Sequence, residues 1–155
     1  MGLKVRKGTK QDLPAVLNLI KELAAYEKAT GEVINNIEEM ERDGFGTHPA
    51  FHFFIAEMND EVAGMALYYI KYSTWKGKCI FLEDIIVSEK FRGKKLGKEL
   101  FEAVVKVSKE LKVQRMEWQV LDWNKPAINF YKKFDTDFNA EWINCKLVYE
   151  QIQQL

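Results

Sequence analysis

Bulk charge is the first thing this chain lacks. Its 23 lysines and arginines are balanced by 23 aspartates and glutamates, for a formal net charge of +0. No global field draws it to nucleic acid or to an anionic membrane, so any recognition by charge must be local. Cysteine is scarce as well. Cys79 and Cys145 lie far apart and in no metal-ligand spacing. That excludes a disulfide framework and a zinc module, and suits packed thiols in a reducing compartment. The two histidines, His48 and His52, pair with no cysteine or serine motif. They read as structural, and no metal site is expected. No apolar run approaches the roughly 20 residues that span a bilayer. Lys4, Arg6, Lys7 and Lys10 interrupt what would be the apolar core of a signal peptide. No linker, repeat or low-complexity stretch divides the 155 residues. The expectation is one cytoplasmic domain over residues 1–155, long enough to bury a real core.

What is present is strong periodicity. Leu3 to Lys7 alternates like a half-buried strand. Thr9 with Asp12 marks a capped helix start, and Leu13, Val16, Leu17, Ile20, Leu23 and Ala24 then share one helical face ending near Tyr26. Ile37 and Met40 suggest a short helix stopping at Gly44. Phe51–Met58 and Val62–Tyr72 read as a hairpin around Asn59-Asp60. Gly77 breaks the chain before a central strand, Cys79–Val87. Leu96, Leu100, Phe101, Val104, Val107 and Leu111 mark the main helix. A short strand is expected over Arg115–Val120. Asn124 caps a helix with Pro126 in its first turn, which fades near Phe134. A last strand is expected over Trp142–Tyr149. This order predicts an α/β domain, a mixed sheet with helices on both faces.

The chemistry concentrates between Leu82 and Lys98. Leu82-Glu83-Asp84-Ile85-Ile86-Val87 is an apolar strand with two acids in its middle, and burying a carboxylate is costly unless it is paired, hydrated or working. Successive strand residues face opposite sides, so only one acid can enter a cleft unless a bulge intervenes. Arg92-Gly93-Lys94-Lys95-Leu96-Gly97-Lys98 follows as a basic loop running into a helix. Free N–H groups at such a junction, with glycines allowing close approach, can cradle a pyrophosphate.

At these residues the chain resembles the GNAT N-acetyltransferase superfamily, whose signature is Arg or Gln, two residues, Gly, one residue, then Gly or Ala. Arg92 and Gly97 match it, and Lys95 stands at the first glycine position. The likeness is closest to the diamine (spermidine/spermine) and thialysine acetyltransferase branch. Leu19-Ile20-Lys21-Glu22-Leu23-Ala24 before Tyr26-Glu27, Asp43-Gly44-Phe45-Gly46 before His48-Pro49, Leu82-Glu83-Asp84 and Asn129-Phe130-Tyr131-Lys132 carry it. It runs from the first helix to about residue 133. Four residues after Tyr131, where the family has a helix-ending glycine, stands Asp135.

The resemblance implies the GNAT fold, with a mostly antiparallel sheet and central strands that splay apart. It implies acetyl-CoA as donor. The pantetheine arm would pair with Ile85, Ile86 and Val87, and the pyrophosphate would rest on the loop from Arg92 and Gly93 through Lys94, Lys95, Leu96, Gly97 and Lys98. Asn124, Lys125, Pro126 and Ala127 would line the other side, with Tyr131. Tyr131 would be the general acid for the CoA thiolate, since reference pKa values of about 10 for Tyr and about 8.5 for a thiol are close. Glu83 would bind the acceptor ammonium or take its proton, because an alkyl amine with a pKa near 10.4 must lose one before attack. Tyr26, Glu27, Asp84, Glu117, Trp118 and Gln119 would form the acceptor site, to which Asp122 and Trp123 could add. Carboxylates and rings suit a cationic small-molecule amine. A homodimer is implied because relatives form one. The alternatives are acetylation of another amine, such as an amino acid or a peptide N-terminus, or a CoA-binding sensor without turnover.

Overall fold

The computed structural model describes residues 2–155. The chain divides into two compact units, Met1–Gln119 and Val120–Leu155. The first holds the whole sheet: β1 (Leu3–Lys7), β2 (His52–Met58), β3 (Glu61–Ser73), β4 (Gly77–Val87) and β5 (Met116–Glu117), in that spatial order. β1 to β4 are antiparallel neighbours, and β5 joins β4 in parallel. The mixed, mostly antiparallel α/β architecture is the one expected. The β2–β3 hairpin turns on Asn59 and Asp60, both left-handed at φ 51° and 64°, the backbone that matches strand twist in two-residue hairpins.

Side-chain alternation sends each strand to two cores. One face carries Phe53, Ile55, Met65, Leu67 and Ile86. The helix α1 (Leu13–Tyr26) lays Leu13, Val16, Leu17 and Leu19 on it, and α2 (Ile37–Phe45) adds Met40. The opposite face receives α3 (Leu96–Glu110), whose Leu96, Leu100, Phe101 and Val104 are buried. Gly64 lets α3 approach: a Cβ there would meet the Ile86 carbonyl at 2.5 Å and Leu100 Cδ1 at 3.3 Å.

The second unit holds α4 (Lys125–Lys132) and a short α5 (Tyr149–Gln153). The strand expected over Trp142–Tyr149 is not there. Residues 135–148 are irregular, and Tyr149 starts a helix. Trp142 is 75% exposed and Ile143 87%. An alternating sequence becomes a strand only when a sheet edge accepts it, and none does so here. The strand expected over Arg115–Val120 shrinks to Met116–Glu117 for a related reason given below.

One ion cluster fixes the start of the chain. Arg6 on β1 donates to both carboxylate oxygens of Asp12 at 2.8 Å each, and to Glu57 of β2 at 2.8 Å. Asp12 also accepts from the Thr9 amide at 2.7 Å and the Thr9 hydroxyl at 3.0 Å, which caps the entry to α1. The bond from Arg6 and those from Thr9 outweigh burial and hold the Asp12 carboxyl down to about 2, below the ordinary 3.8. A depressed acid stabilises the fold above its unfolded pKa and loses that contribution as pH falls through the folded one. Asp12→Asn is therefore expected to lose about 2 kcal/mol at pH 7. Urea unfolding from pH 7 down to 2 checks this: the wild-type stability should decline between about pH 4 and 2, and the variant's should lack that portion of the decline.

Candidate active site

Two irregularities of β4 make the site. The first is a bulge. Leu67 pairs with Asp84 and Tyr68 with Leu82, which leaves Glu83 as the extra residue on β4. The bulge cancels the alternation that would send consecutive acids to opposite faces. Asp84 lies opposite Leu67, on the α1 face. Glu83, freed from the ladder beside it, is close enough for its charge to act on both Asp84 and Tyr69. The second irregularity is a separation of strands. β5 pairs with β4 only at Ile80–Met116 and Phe81–Glu117. Beyond Phe81, no strand among the described residues continues the ladder on that side, so Leu82 to Val87 present an edge. This is the splay that the resemblance implies, and it is why β5 is two residues long. Ile85, Ile86 and Val87 all lie on that edge.

Three carboxylates gather at the bulge. Burial raises the Asp84 carboxyl to about 6, helped by the charges of Glu83 and of Glu27 just past α1. Burial also raises Glu27. Glu83 itself is exposed. The Tyr69 phenol is pushed up by burial and by the fields of Glu83 and Glu117, so it stays a protonated donor. Tyr69 packs on Phe81 with ring centres 5.3 Å apart. Sequence reasoning missed this aromatic pair, because strand alternation alone does not tell a core ring from one that walls a site. Glu117, on the same face, has cationic neighbours of its own: Lys71 at 3.3 Å and Arg115 at 3.5 Å. Trp118 packs edge-on against Phe101 of α3, 5.2 Å away, on the opposite face. Gln119 is exposed. Of the expected acceptor residues, then, the fold gathers Glu27, Glu83 and Asp84 and turns Trp118 away from them.

The basic loop connects β4 to α3. Gly93 and Lys95 are both left-handed, at φ 78° and 66°. Lys95 is the residue before α3 and accepts its first helical bond, from Glu99 N. It adopts the positive φ that the family's glycine would take, at the usual cost of about 1 kcal/mol for a side chain there. Leu96 is 1% exposed and anchors the helix, while Arg92, Lys94, Lys95 and Lys98 are exposed. Arg92 donates to the Val87 carbonyl at 3.1 Å, and its guanidinium sits 5.5 Å over the Tyr26 ring. A hollow of 350 Å³ by Lys10, Glu41 and Phe45 involves none of these residues.

In the second unit, Asn124 is buried, and its side chain accepts from Ala127 N at 3.3 Å. That cap and Pro126 in the first turn start α4 as expected, with Lys125 exposed and Ala127 half-buried. Tyr131, on the same helix, is 6% exposed and touches Phe130 edge-on at 5.4 Å. Its carbonyl accepts from the Thr136 hydroxyl at 2.7 Å, bracing the helix end around Asp135, which is left-handed at φ 53°. Asp122 and Trp123 are exposed.

A model of the acetyltransferase (GNAT) family matches residues 14–135. A thialysine N-epsilon-acetyltransferase from Bos taurus is 38% identical over 83% of this chain and 80% of its own length. A spermidine/spermine N(1)-acetyltransferase-like protein from Homo sapiens is 34% identical over 83% of this chain, though only 19% of that longer protein. Among solved structures, an aminoglycoside acetyltransferase from an uncultured soil metagenomic sample superposes with a TM-score of 0.77 at 18% identity, over 94% of this chain and 95% of that one. At that identity it supports the fold alone.

The acids make a pH prediction. Asp84 titrates near 6 when folded and near 3.8 when unfolded. The folded state thus holds the extra proton, and stability falls as pH rises across that window. Asp84→Asn should stabilise the protein at pH 8 by on the order of 2 kcal/mol and remove the decline between pH 4 and 6. Denaturant unfolding at pH 5 and 8 checks it; an equal or lower stability at pH 8 would mean that Asp84 is solvated.

Proposed function

The chain belongs to the acetyltransferase (GNAT) family, and from that premise we propose a donor, an acceptor and a division of labour. It is an N-acetyltransferase acting on a primary amine. The proposed donor is acetyl-CoA, which supplies the acetyl group as a thioester when bound. The residues present fit it. The ladder-free edge of β4 at Ile85, Ile86 and Val87 suits a pantetheine arm, which carries amide groups of its own. Left-handed backbone at Gly93 and Lys95, just before the N-terminus of α3 and among four exposed cations, suits a loop that offers its N–H groups to a pyrophosphate. Asn124, Lys125, Pro126 and Ala127 are proposed to flank the donor by the family resemblance.

The acceptor we propose is a small amine of the polyamine or thialysine type. The observation that carries this is the meeting of Glu27, Glu83 and Asp84 at one bulge, mutually repelling and with raised acids among them. Such a cluster is relieved by a bound cation, and it binds an ammonium best when all three are ionised. Exposed Glu83 takes the ammonium proton, directly or through water, and so frees the lone pair for attack on the thioester carbonyl. Asp84 and Glu27 hold the remaining positive charge of the substrate. Tyr131 is the proposed general acid that returns a proton to the departing thiolate. Its place in the Asn129-Phe130-Tyr131 match supports the role. Two of the relatives described above are named for thialysine and for spermidine/spermine, in line with this class. A homodimer completes the proposal, supported by the exposed apolar side chains from Phe138 onward, and light scattering of the purified protein reports it; the cytoplasmic location proposed with it rests on the two scattered cysteines.

Thiol release from acetyl-CoA over spermidine, spermine, putrescine, thialysine, lysine and short peptides tests the acceptor. Turnover confined to the peptides would sink the polyamine and thialysine reading. Tyr131→Phe should lower kcat by about 10²-fold with CoA affinity kept, whereas loss of CoA binding would make Tyr131 structural. KM for the amine should climb as pH drops below about 6 and Asp84 takes up its proton.

A further inference from the structure

Within the Leu19–Ala24 stretch, Glu22 is a polar group that no role above uses. Glu22 projects from α1 to the turn where β4 ends. Its Oε2 accepts from the Ser88 hydroxyl at 3.1 Å, and its Oε1 accepts from the Glu89 amide at 3.0 Å. Glu89 opens a single 3-10 turn, Glu89–Phe91, that leads straight into the basic loop. Ser88 stands at the cap position of that turn, yet its side chain makes no cap bond there. The hydroxyl is turned onto Glu22, which satisfies the Glu89 amide in its place. One helical turn further along α1, Tyr26 lies under the Arg92 guanidinium at 5.5 Å. Residues four apart share a helix face. The same face of α1 therefore grips the β4-to-loop turn twice, at Ser88-Glu89 and at Arg92.

A carboxylate beside an intended anion site would ordinarily repel the ligand. Here both of its oxygens accept bonds from the turn, which gives the charge a local use. We infer that Glu22 is a positioning residue for the donor: from α1 it holds the Ser88–Phe91 turn, and hence the loop through Gly93 and Lys95, in the shape that receives a pyrophosphate. This rests on the reading of that loop as the donor's phosphate site. It adds a residue outside the loop, on the helix that ends at the acceptor's Tyr26 and Glu27. The donor loop and the acceptor end of the site thus hang on one rigid element.

Calorimetric titration with CoA, together with steady-state kinetics, tests this on the full chain. Glu22→Ala removes both bonds and should weaken CoA by about tenfold. KM for acetyl-CoA should rise in parallel, with kcat at saturation and KM for the amine within about twofold of wild type. Ser88→Ala removes one bond, leaves the helix untouched, and should give an intermediate loss. Glu22→Gln keeps an acceptor for the Glu89 amide and should recover most of the affinity. Unchanged CoA affinity in Glu22→Ala and Ser88→Ala overturns the inference, as does tighter binding in Glu22→Gln, which would mean that the carboxylate only repels. A matched rise of both KM values would equally overturn it, since that marks general loosening of the fold. If the wild-type protein itself does not bind CoA, the donor reading falls first and this inference falls with it.

Discussion

A β-strand presents consecutive side chains to opposite faces, and the site depends on breaking that rule once. Without the extra residue at Glu83, either Glu83 or Asp84 would be turned into the α3 core, where an unpaired carboxylate would be costly. The bulge keeps Asp84 on the α1 face and releases Glu83 from the alternation, and the charge of Glu27 completes the cluster. It lies two residues past the point where β5 stops pairing with β4. The local kink and extra twist that accompany a bulge help to carry β4 away from its neighbour. Acid cluster and open edge are thus products of one distortion in one strand.

The same sheet treats its carboxylates in two opposed ways. Asp12 is buried against Arg6 and the Thr9 cap, and its pKa drops to about 2. Asp84 is half-buried with other acids for neighbours, and its pKa climbs to about 6. The first arrangement stabilises the fold at neutral pH; the second destabilises it there. A destabilising cluster persists in a marginally stable protein when a ligand relieves it, which is the part proposed here for the cationic amine. The contrast separates the ion cluster that builds the domain from the one that is available for chemistry.

The loop between β4 and α3 follows a similar logic. Two left-handed residues fold it, one of them a lysine where glycine would be easier. The strain is local, and it is held by neighbours on either side: Leu96 buried in the α3 core, and the turn at Ser88-Glu89 fastened to Glu22. Asp135 repeats the pattern at the end of α4, where a non-glycine residue takes a positive φ and the Thr136 hydroxyl braces the helix end.

Much of this was legible in the sequence because it is encoded locally. Period-3.6 apolar spacing placed α1 and α3, the Asn59-Asp60 turn placed the hairpin, and the Asn124 cap with Pro126 placed α4. Motif order around Glu83, Arg92 to Gly97 and Tyr131 identified the family, which the match over residues 14–135 bears out. Other features depend on partners distant in the chain and leave no local signal. Trp142–Tyr149 has a strand's alternation, but a strand also needs an edge to join, and the segment stays irregular. Tyr69 and Phe81 became neighbours only through the β3–β4 register, and Glu22 met Ser88 across 66 residues. Only the fold could decide that a bulge at Glu83 breaks the alternation beside Asp84 and that Trp118 faces away, because register and bulge position are set by pairing between strands, and pairing is a property of the assembled sheet.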